Sequence, residues 1–349
     1  MKLPLWLAAP VDTTPAQRRN FRLAYADGLG VGLAMSSGAF LSVFLARLGA
    51  TSAQVGLLTA LPGIAGIALS IIAGRFLQSR RDIAPWFGAL RVLQMLGYTF
   101  TGLVPFFVPQ SQAVVAILWV WALVSIPQTM QSITFSVVMN GVAGPKGRYA
   151  LMSRRWSIIG IVQSVCIALT GWLLDRTIFP TNYQFMFIVL SLGGIFAGVM
   201  GSRIRLPSVE SPLRRPEVPF REHLQETLDL VRNNPAFLRF LSKRVVYSGA
   251  AMLVAPILPL YYVRTIQASD SWIGLFSTVQ TAVMLVGYFF WASMSRRKGA
   301  RFVLLASILG MSCCNSCAFT CTGIATGSSP NHSSRAEGSI PGSSRGMTR

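Results

Sequence analysis

Asp27 is the residue whose type and position most strongly suggest chemistry, because it is a carboxylate inside a long apolar run, Phe21–Leu45. An ionised group is costly in an apolar environment, so it is a candidate for function. Asp27 could bind a proton or a cationic group of a substrate. The alternative is a carboxylate close enough to water to pair with Arg22 or another arginine of a neighbouring loop. No Glu or His lies within an apolar run, so the sequence shows no multi-residue proton relay.

Several glutamines also lie within apolar runs. Gln128 and Gln131 are three positions apart, so both can face one cavity from the same helix. Gln163, Gln280 and Gln94 each lie near the middle of another run. Their amides could hydrogen-bond a polar substrate, or they could join helices at about 0.6–2 kcal/mol each. We therefore take Gln128, Gln131, Gln163 and Gln280, together with Asp27, as candidates for a substrate or proton path.

Other kinds of site find little support in the sequence. The glycines between Gly28 and Gly32 lack the spacing and the strand–helix context of a dinucleotide site. The cysteines from Cys313 to Cys321 have no His, Asp or Glu among them, so we expect small residues of a membrane helix rather than a metal site. No nucleophile–base pair or phosphate loop is present. We therefore predict no enzyme activity, no metal and no cofactor.

The composition indicates that these residues are positioned by membrane helices. The chain has 349 residues, of which 52% are hydrophobic and only 12% are charged, whereas about 25% of the residues in a soluble domain are charged. Charged residues are missing for roughly 20 residues at a time, the length that crosses a hydrocarbon layer of about 30 Å. A net charge of +20 could suggest nucleic acid, but the cations lie between apolar runs. We predict a lipid bilayer as partner, and no nucleic acid.

Nine apolar runs are long enough to cross a bilayer, so the fold class is an all-α polytopic membrane protein. The runs are Phe21–Leu45, Ser52–Phe76, Ala84–Phe107, Gln112–Met139, Trp156–Leu174, Tyr183–Met200, Leu241–Val263, Trp272–Met294 and a last one from Phe302 to about Ala325.

The runs divide the chain into predicted regions. Residues 1–203 form a bundle of six spans, and 204–240 form a cytoplasmic hinge loop with a short amphipathic helix. Residues 241–325 form an incomplete second bundle of about three spans, and 326–349 a disordered tail. The composition changes abruptly after Ser312, which suggests a truncated or frame-shifted second half.

The basic residues predict the orientation. Of the 31 Lys and Arg residues, those before the tail gather on alternate connections, and only Arg47, Arg176 and Arg264 lie on the others. Basic connections stay in the cytoplasm. We therefore expect a cytoplasmic N-terminus in an integral membrane protein of a prokaryotic plasma (inner) membrane.

An internal repeat links the two bundles. When the sequence is shifted by 218 residues, Ser52–Leu58 overlays Asp270–Phe276 without a gap. Each segment opens with a helix-capping residue, and each has a glycine four positions later. A parallel repeat of six spans around a long inside loop is typical of a transporter whose bundles rock over a shared site.

From about Arg19 to Ile308 the chain resembles the major facilitator superfamily of secondary transporters. The resemblance depends on the six-span halves, on the hinge with its segment Asn234–Arg239, and on the loops after spans 2 and 8. The loop motif of the family reads Gly-x-x-x-Asp-Arg/Lys-x-Gly-x-Arg/Lys. Gly74 matches its first position, but Gln78 replaces the Asp, and in the second copy Arg296 does so.

The resemblance implies a cytoplasmic gate formed by residues of these loops and by the basic start of span 5. The arginines there are expected to determine topology first and to act in gating second. The predicted gate residues are Gly74, Arg80, Arg81, Arg154, Arg155, Arg297, Gly299 and Arg301.

The sequence therefore predicts a secondary active transporter of the major facilitator type that moves a small solute by alternating access. The residues identify neither the substrate nor a coupling ion, and coupling to a proton or another ion stays open. The alternative is a membrane protein of the same fold without transport activity, such as a truncated remnant or a half that depends on a partner.

Overall fold

A computed structural model describes residues 14–78, 80, 82–206, 229, 232–254 and 257–327. Arg81 and most of the hinge's amphipathic helix, apart from its residue 229, lie outside this part of the chain. Of the predicted tail 326–349, residues 328–349 also lie outside it, whereas residues 326 and 327 belong to the last described helix.

The described residues are almost entirely helical. The helices are α1 (Pro15–Ser36), α2 (Gly38–Arg47), α3 (Ser52–Gln78), α4 (Ala84–Phe107), α5 (Gln110–Leu174), α6 (Thr181–Ser202), α7 (Pro235–Val254), α8 (Ile257–Arg264) and α9 (Asp270–Gly327).

Two of these helices each hold two predicted spans. In α5 the chain turns at Gly144, where φ is 64°, and in α9 it turns at Gly299, where φ is 82°. Glycine adopts such positive φ values without the steric cost of a Cβ. Spans 4 and 5 therefore follow each other without a long loop, and so do spans 8 and 9.

Within the part of the chain that the structure describes, five helical segments are long and apolar enough to cross a membrane: Pro15–Arg47, Ser52–Ser70, Gln110–Gly144, Leu151–Leu174 and Thr181–Ser202. They confirm the all-α polytopic fold class. The helix α4 has 24 residues, which is about 36 Å and long enough to cross. Its Arg91 and Gln94 lower its hydropathy, and its membrane crossing stays a prediction.

Close approach of glycines holds α1, α4 and α6 together. A Cβ added to Gly30 would lie 2.3 Å from the carbonyl oxygen of Gly193, and one added to Gly88 would lie 2.5 Å from that of Gly198. Both crossings therefore bring backbone against backbone, as small residues allow in membrane bundles. Because α1 and α4 both cross α6 closely, the bundle can bring side chains of α1 and α4 together.

The chain divides into two compact units, residues 1–288 and 289–349. The first unit holds α1 to α8 and the first part of α9, and all the contacts discussed below lie within it. In the second unit, the Lys298 ammonium lies 4.7 Å from the centre of the Phe302 ring. The predicted boundaries at 203, 240 and 325 stay predictions.

Candidate functional site

A buried ion network surrounds Asp27. Nη2 of Arg155 lies 2.6 Å from Oδ2 of Asp27, and Nε of the same arginine donates to that oxygen at 3.2 Å. Nε of Arg91 lies 3.6 Å from Oδ1 of Asp27. Asp27 is fully excluded from solvent, and both arginines are buried. We call Asp27, Arg91, Arg155 and Gln131 the Asp27 network.

Gln131 completes the network from the first segment of α5. With its amide oriented to satisfy its neighbours, the oxygen accepts from Nη2 of Arg91 at 3.1 Å and the nitrogen donates to the Phe87 carbonyl at 3.0 Å. The amide thus holds a guanidinium that would otherwise depend on one carboxylate. Buried polar groups need such partners, because an unpaired group costs the full loss of its hydration.

Three helices supply the charged groups. Asp27 lies on α1, Arg91 on α4, and Arg155 near the start of the second segment of α5. The next residue on α1, Gly28, makes room for the arginine, since an added Cβ would lie 3.1 Å from Cγ of Arg155. The network therefore depends on the packing of helices that are distant in sequence.

The charges of the network do not cancel. Two guanidinium groups face one carboxylate, which leaves one positive charge in excess among these side chains. Aromatic faces offset part of it, because the Arg155 guanidinium lies 4.8 Å from the centre of the Phe135 ring and that of Arg91 lies 5.4 Å from Phe87. Oδ1 of Asp27 has no hydrogen-bond partner among the described residues. It is an acceptor position that a proton or a donor group could occupy.

The sequence predicted Asp27 but not this set of partners. It left open a pairing, close to water, with Arg22 or another arginine of a neighbouring loop; the partners in the structure are Arg155, from the basic start of span 5, and Arg91, and Asp27 is buried. Arg155 was predicted as a gate residue. Arg91 was not predicted as a site residue, although its position inside an apolar run was the same signal that pointed to Asp27.

The predicted glutamines lie in different surroundings. Gln131 is in the network, and Gln163 lines a cleft described below. Gln128 is half-buried, and its Oε1 has no hydrogen-bond partner in the described part of the chain. Gln94 has a similar unpaired oxygen. Gln280 is exposed.

The structure describes the local surroundings of some of the other predicted gate residues. The Arg80 guanidinium lies 4.7 Å from the centre of the Phe76 ring and 5.0 Å from that of Trp86. A Cβ added to Gly74 would meet no atom within 4 Å. Gly299 forms the turn in α9, and Arg297 is exposed. Arg154 lies on α5. Arg81 and the side chain of Arg301 lie outside the described residues. Their role in gating stays a prediction.

A small cleft separates the second segment of α5 from the first part of α9. It combines the indole of Trp156 and the polar groups of Gln163 and Thr281 with apolar walls. Its lining residues are Trp156, Ile159, Gly160, Gln163, Thr281, Met284 and Leu285. Trp156 directly follows Arg155, whose guanidinium carbon lies 6.0 Å from the centre of the indole. The cleft and the Asp27 network are therefore neighbours.

A comparison with protein families identifies the kind of protein to which this arrangement belongs. A family model described as MFS/sugar transport protein matches residues 27–330. The chain belongs to this family. It is therefore a membrane protein of the major facilitator superfamily (MFS), a group of transporters rather than enzymes. No curated protein sequence matches the chain.

The match confirms the resemblance found in the sequence. It covers the predicted first half from Asp27 on and all of the predicted second half, and it extends past Ser312, where the composition changes. The predicted truncation stays a prediction.

Proposed function

We propose that this MFS protein is a secondary active transporter that moves a small polar solute by alternating access. The observation that supports the proposal is the cleft between α5 and α9, which in this state has room for about one water molecule and would have to widen to admit a solute. Its polar groups come from both predicted halves, with Gln163 on one side and Thr281 on the other. A site shared by two halves is accessible from alternate faces when the halves rock against each other.

The lining of the cleft favours a solute with hydroxyl groups. The amide of Gln163 can donate and accept hydrogen bonds, whereas the Thr281 hydroxyl donates to the Ser277 carbonyl at 2.8 Å and can accept a bond from a solute. The indole of Trp156 offers a flat apolar face beside them. A sugar presents both kinds of surface, hydroxyl groups at its edge and C–H groups on its faces. The family description also names sugar transport, so sugars are the class to test first.

The Asp27 network supplies a means of coupling. Because the network already has one positive charge in excess, a proton or another cation would bind Asp27 only when Arg155 separates from the carboxylate. Arg155 is adjacent to Trp156, which lines the cleft. A change in the bonding of Asp27 can therefore be transmitted to the solute through Arg155 and its neighbour Trp156 on α5. In this proposal the N-terminus lies in the cytoplasm of a prokaryotic cell and the chain resides in its inner membrane, as the basic connections favour.

The test is solute flux in proteoliposomes that contain the purified full-length chain. Uptake of radiolabelled mono- and disaccharides is measured with and without an imposed proton or sodium gradient. We expect gradient-driven uptake of at least one sugar, and we expect Gln163→Leu to reduce it about tenfold by removing a hydrogen bond to the solute.

A matched control is Gln112→Leu, because Gln112 is an exposed glutamine on the same helix, α5. It should leave uptake unchanged. Equal uptake by Gln163→Leu and the parent would remove the cleft from the proposal. If the chain moves no sugar or other solute under any gradient, the alternative of an MFS-fold protein without transport activity stands.

A further inference from the structure

Two turns, one from each repeat, are joined by hydrogen bonds from arginine side chains to backbone carbonyls. Arg47, at the end of α2, donates from Nη2 to the carbonyl oxygen of Ala268 at 3.3 Å. Arg264, at the end of α8, donates from Nη2 to the carbonyl oxygen of Ala50. Ala268 lies 218 positions after Ala50, which is the shift of the repeat. Equivalent turns thus hold each other across the boundary between the halves, and we call these contacts the reciprocal clasp.

An ion pair reinforces the clasp at the start of α9. Nη2 of Arg47 lies 2.8 Å from Oδ1 of Asp270, and the Tyr183 hydroxyl donates to the same oxygen at 2.5 Å. The Asp270 side chain is 6% exposed, whereas that of Arg47 is 30% exposed. Water can therefore reach one partner of the pair in this state.

The Asp175 carboxylate caps the same helix end. Its Oδ1 accepts from the backbone N–H of Asp270 at 2.7 Å, and its Oδ2 accepts from that of Ser271 at 2.9 Å. A carboxylate at this position satisfies N–H groups that the helix itself cannot, and it interacts favourably with the helix dipole. Asp175 belongs to the first half, so polar groups of both halves cap the first turn of α9, because the Ser269 hydroxyl also accepts from the Trp272 N–H at 3.1 Å.

Beyond the reciprocal clasp, contacts between α5 and α9 continue toward the cleft. A Cβ added to Gly171 would lie 2.8 Å from the carbonyl oxygen of Asp270, so the two backbones touch there. Farther along, the Thr278 hydroxyl donates to the Ser164 carbonyl at 3.2 Å. Thr281, one helical turn beyond Thr278, already lines the cleft. The clasp and the contacts that follow it therefore close the cleft at one end.

We propose that the reciprocal clasp, with the Arg47–Asp270 ion pair, is a gate that closes the cleft at this end and separates when the protein opens there. The inference rests on the proposed transport function and deepens it. The chemistry suits a reversible contact, because every bond of the clasp joins polar groups that water can satisfy after separation. The Asp27 network differs in kind, since its partners are all buried and all belong to the first half.

The experiment measures access to the cleft rather than transport. A full-length protein in which Cys166 and the four cysteines near the end are replaced by Ser carries Thr281→Cys as a probe. A membrane-impermeant maleimide is added from the face that holds the turn between α2 and α3. We expect Arg47→Ala and Asp270→Asn each to speed labelling about fivefold, because losing one partly exposed ion pair shifts the population of the open state by that order.

The exchanged pair, Arg47→Asp with Asp270→Arg, should slow labelling again toward the parent rate. Arg264→Ala removes the other side of the clasp, so it tests the gate independently if a variant at Arg47 or Asp270 does not fold. The matched control is Arg176→Ala, because this arginine follows the end of α5 and lies over the Trp172 ring at 3.7 Å rather than in the clasp. It should leave labelling unchanged.

Parent-like labelling in Arg47→Ala, Asp270→Asn and Arg264→Ala would overturn the gate. The outcome is separate from that of the proposed function. Sugar flux with unresponsive labelling removes the gate and leaves transport, whereas responsive labelling without flux keeps the gate and removes transport.

Discussion

Oδ2 of Asp27 lies 2.6 Å from Nη2 of Arg155, and neither side chain is open to solvent. The two residues are 128 positions apart, so the pair joins α1 to the second segment of α5. The stability of a buried ion pair responds differently to the loss of one partner and to the loss of both. Removing one partner leaves a charge without compensation, whereas removing both restores the balance.

Asp27→Asn should therefore lower the free energy of unfolding by about 3–5 kcal/mol, because Arg91 and Arg155 lose their shared carboxylate. Asp27→Asn with Arg155→Gln should cost less than Asp27→Asn alone, since its network again has one positive charge in excess. Thermal unfolding of detergent-solubilised protein provides the comparison. A double variant that is less stable than Asp27→Asn would show that the charge balance does not govern this site.

The crossing of α4 and α6 gives a second prediction. A Cβ at position 88 would lie 2.5 Å from a backbone oxygen of Gly198, which cannot rotate away. Gly88→Val should therefore force the helices apart and cost about 1–3 kcal/mol or more. It should also displace Arg91, one turn along α4, from the Asp27 network.

Gly66→Val is the matched control, because a Cβ at Gly66 on α3 would meet no atom within 4 Å. The two variants are compared by thermal unfolding and by their elution profile in the same detergent. Equal stability of the two would contradict the tight α4–α6 crossing.

Asp175 gives a prediction that depends on pH. Burial alone would raise the pKa of its carboxyl, but hydrogen bonds from Ser271 and Asp270 and the charge of Arg47 outweigh burial and lower it. A carboxyl whose pKa is lowered by folding stabilises the folded state above its ordinary pKa, and this contribution is lost as the pH falls through the lowered value.

Asp175→Asn should accordingly lower the unfolding midpoint at pH 7 by about 2–4 °C, as expected for a weakened helix cap. The difference from the parent should shrink as the pH is reduced toward 3. Asp82→Asn, a change at an exposed carboxylate between α3 and α4, should show no such dependence. A difference at Asp175 that stays constant with pH would rule out the charged cap.

The sequence predicted the elements better than their partners. Asp27 was recognised because a carboxylate stands out in an apolar run, and the helices followed from run length. Arg91 carried the same signal but lay near the start of a run, where a cation also fits a topology signal. The Gln131 contact depends on the rotation of α5 about its axis, which spacing alone does not give.

The reciprocal clasp could not be predicted from the sequence, for a different reason. Its contacts join residues 214 to 223 positions apart, and hydropathy contains no information about such pairs. The repeat came closest, since it placed Asp270 in the position of Ser52. It did not show that the two turns meet, because sequence equivalence says nothing about contact across the axis.

The membrane topology gives the last prediction. Four predicted spans separate Lys146 from Lys298, so cysteines at these positions should be labelled by an impermeant maleimide from the same face of the membrane. Arg176→Cys, one span after Lys146, should be labelled from the opposite face. Residues Asp82 and Gln110 flank α4. If Asp82→Cys and Gln110→Cys are labelled from opposite faces, α4 crosses the membrane despite Arg91. A cysteine-free parent is the control. If the Lys146 and Lys298 positions were labelled from opposite faces, the two halves would not be parallel repeats, and rocking about a shared cleft would lose its structural basis.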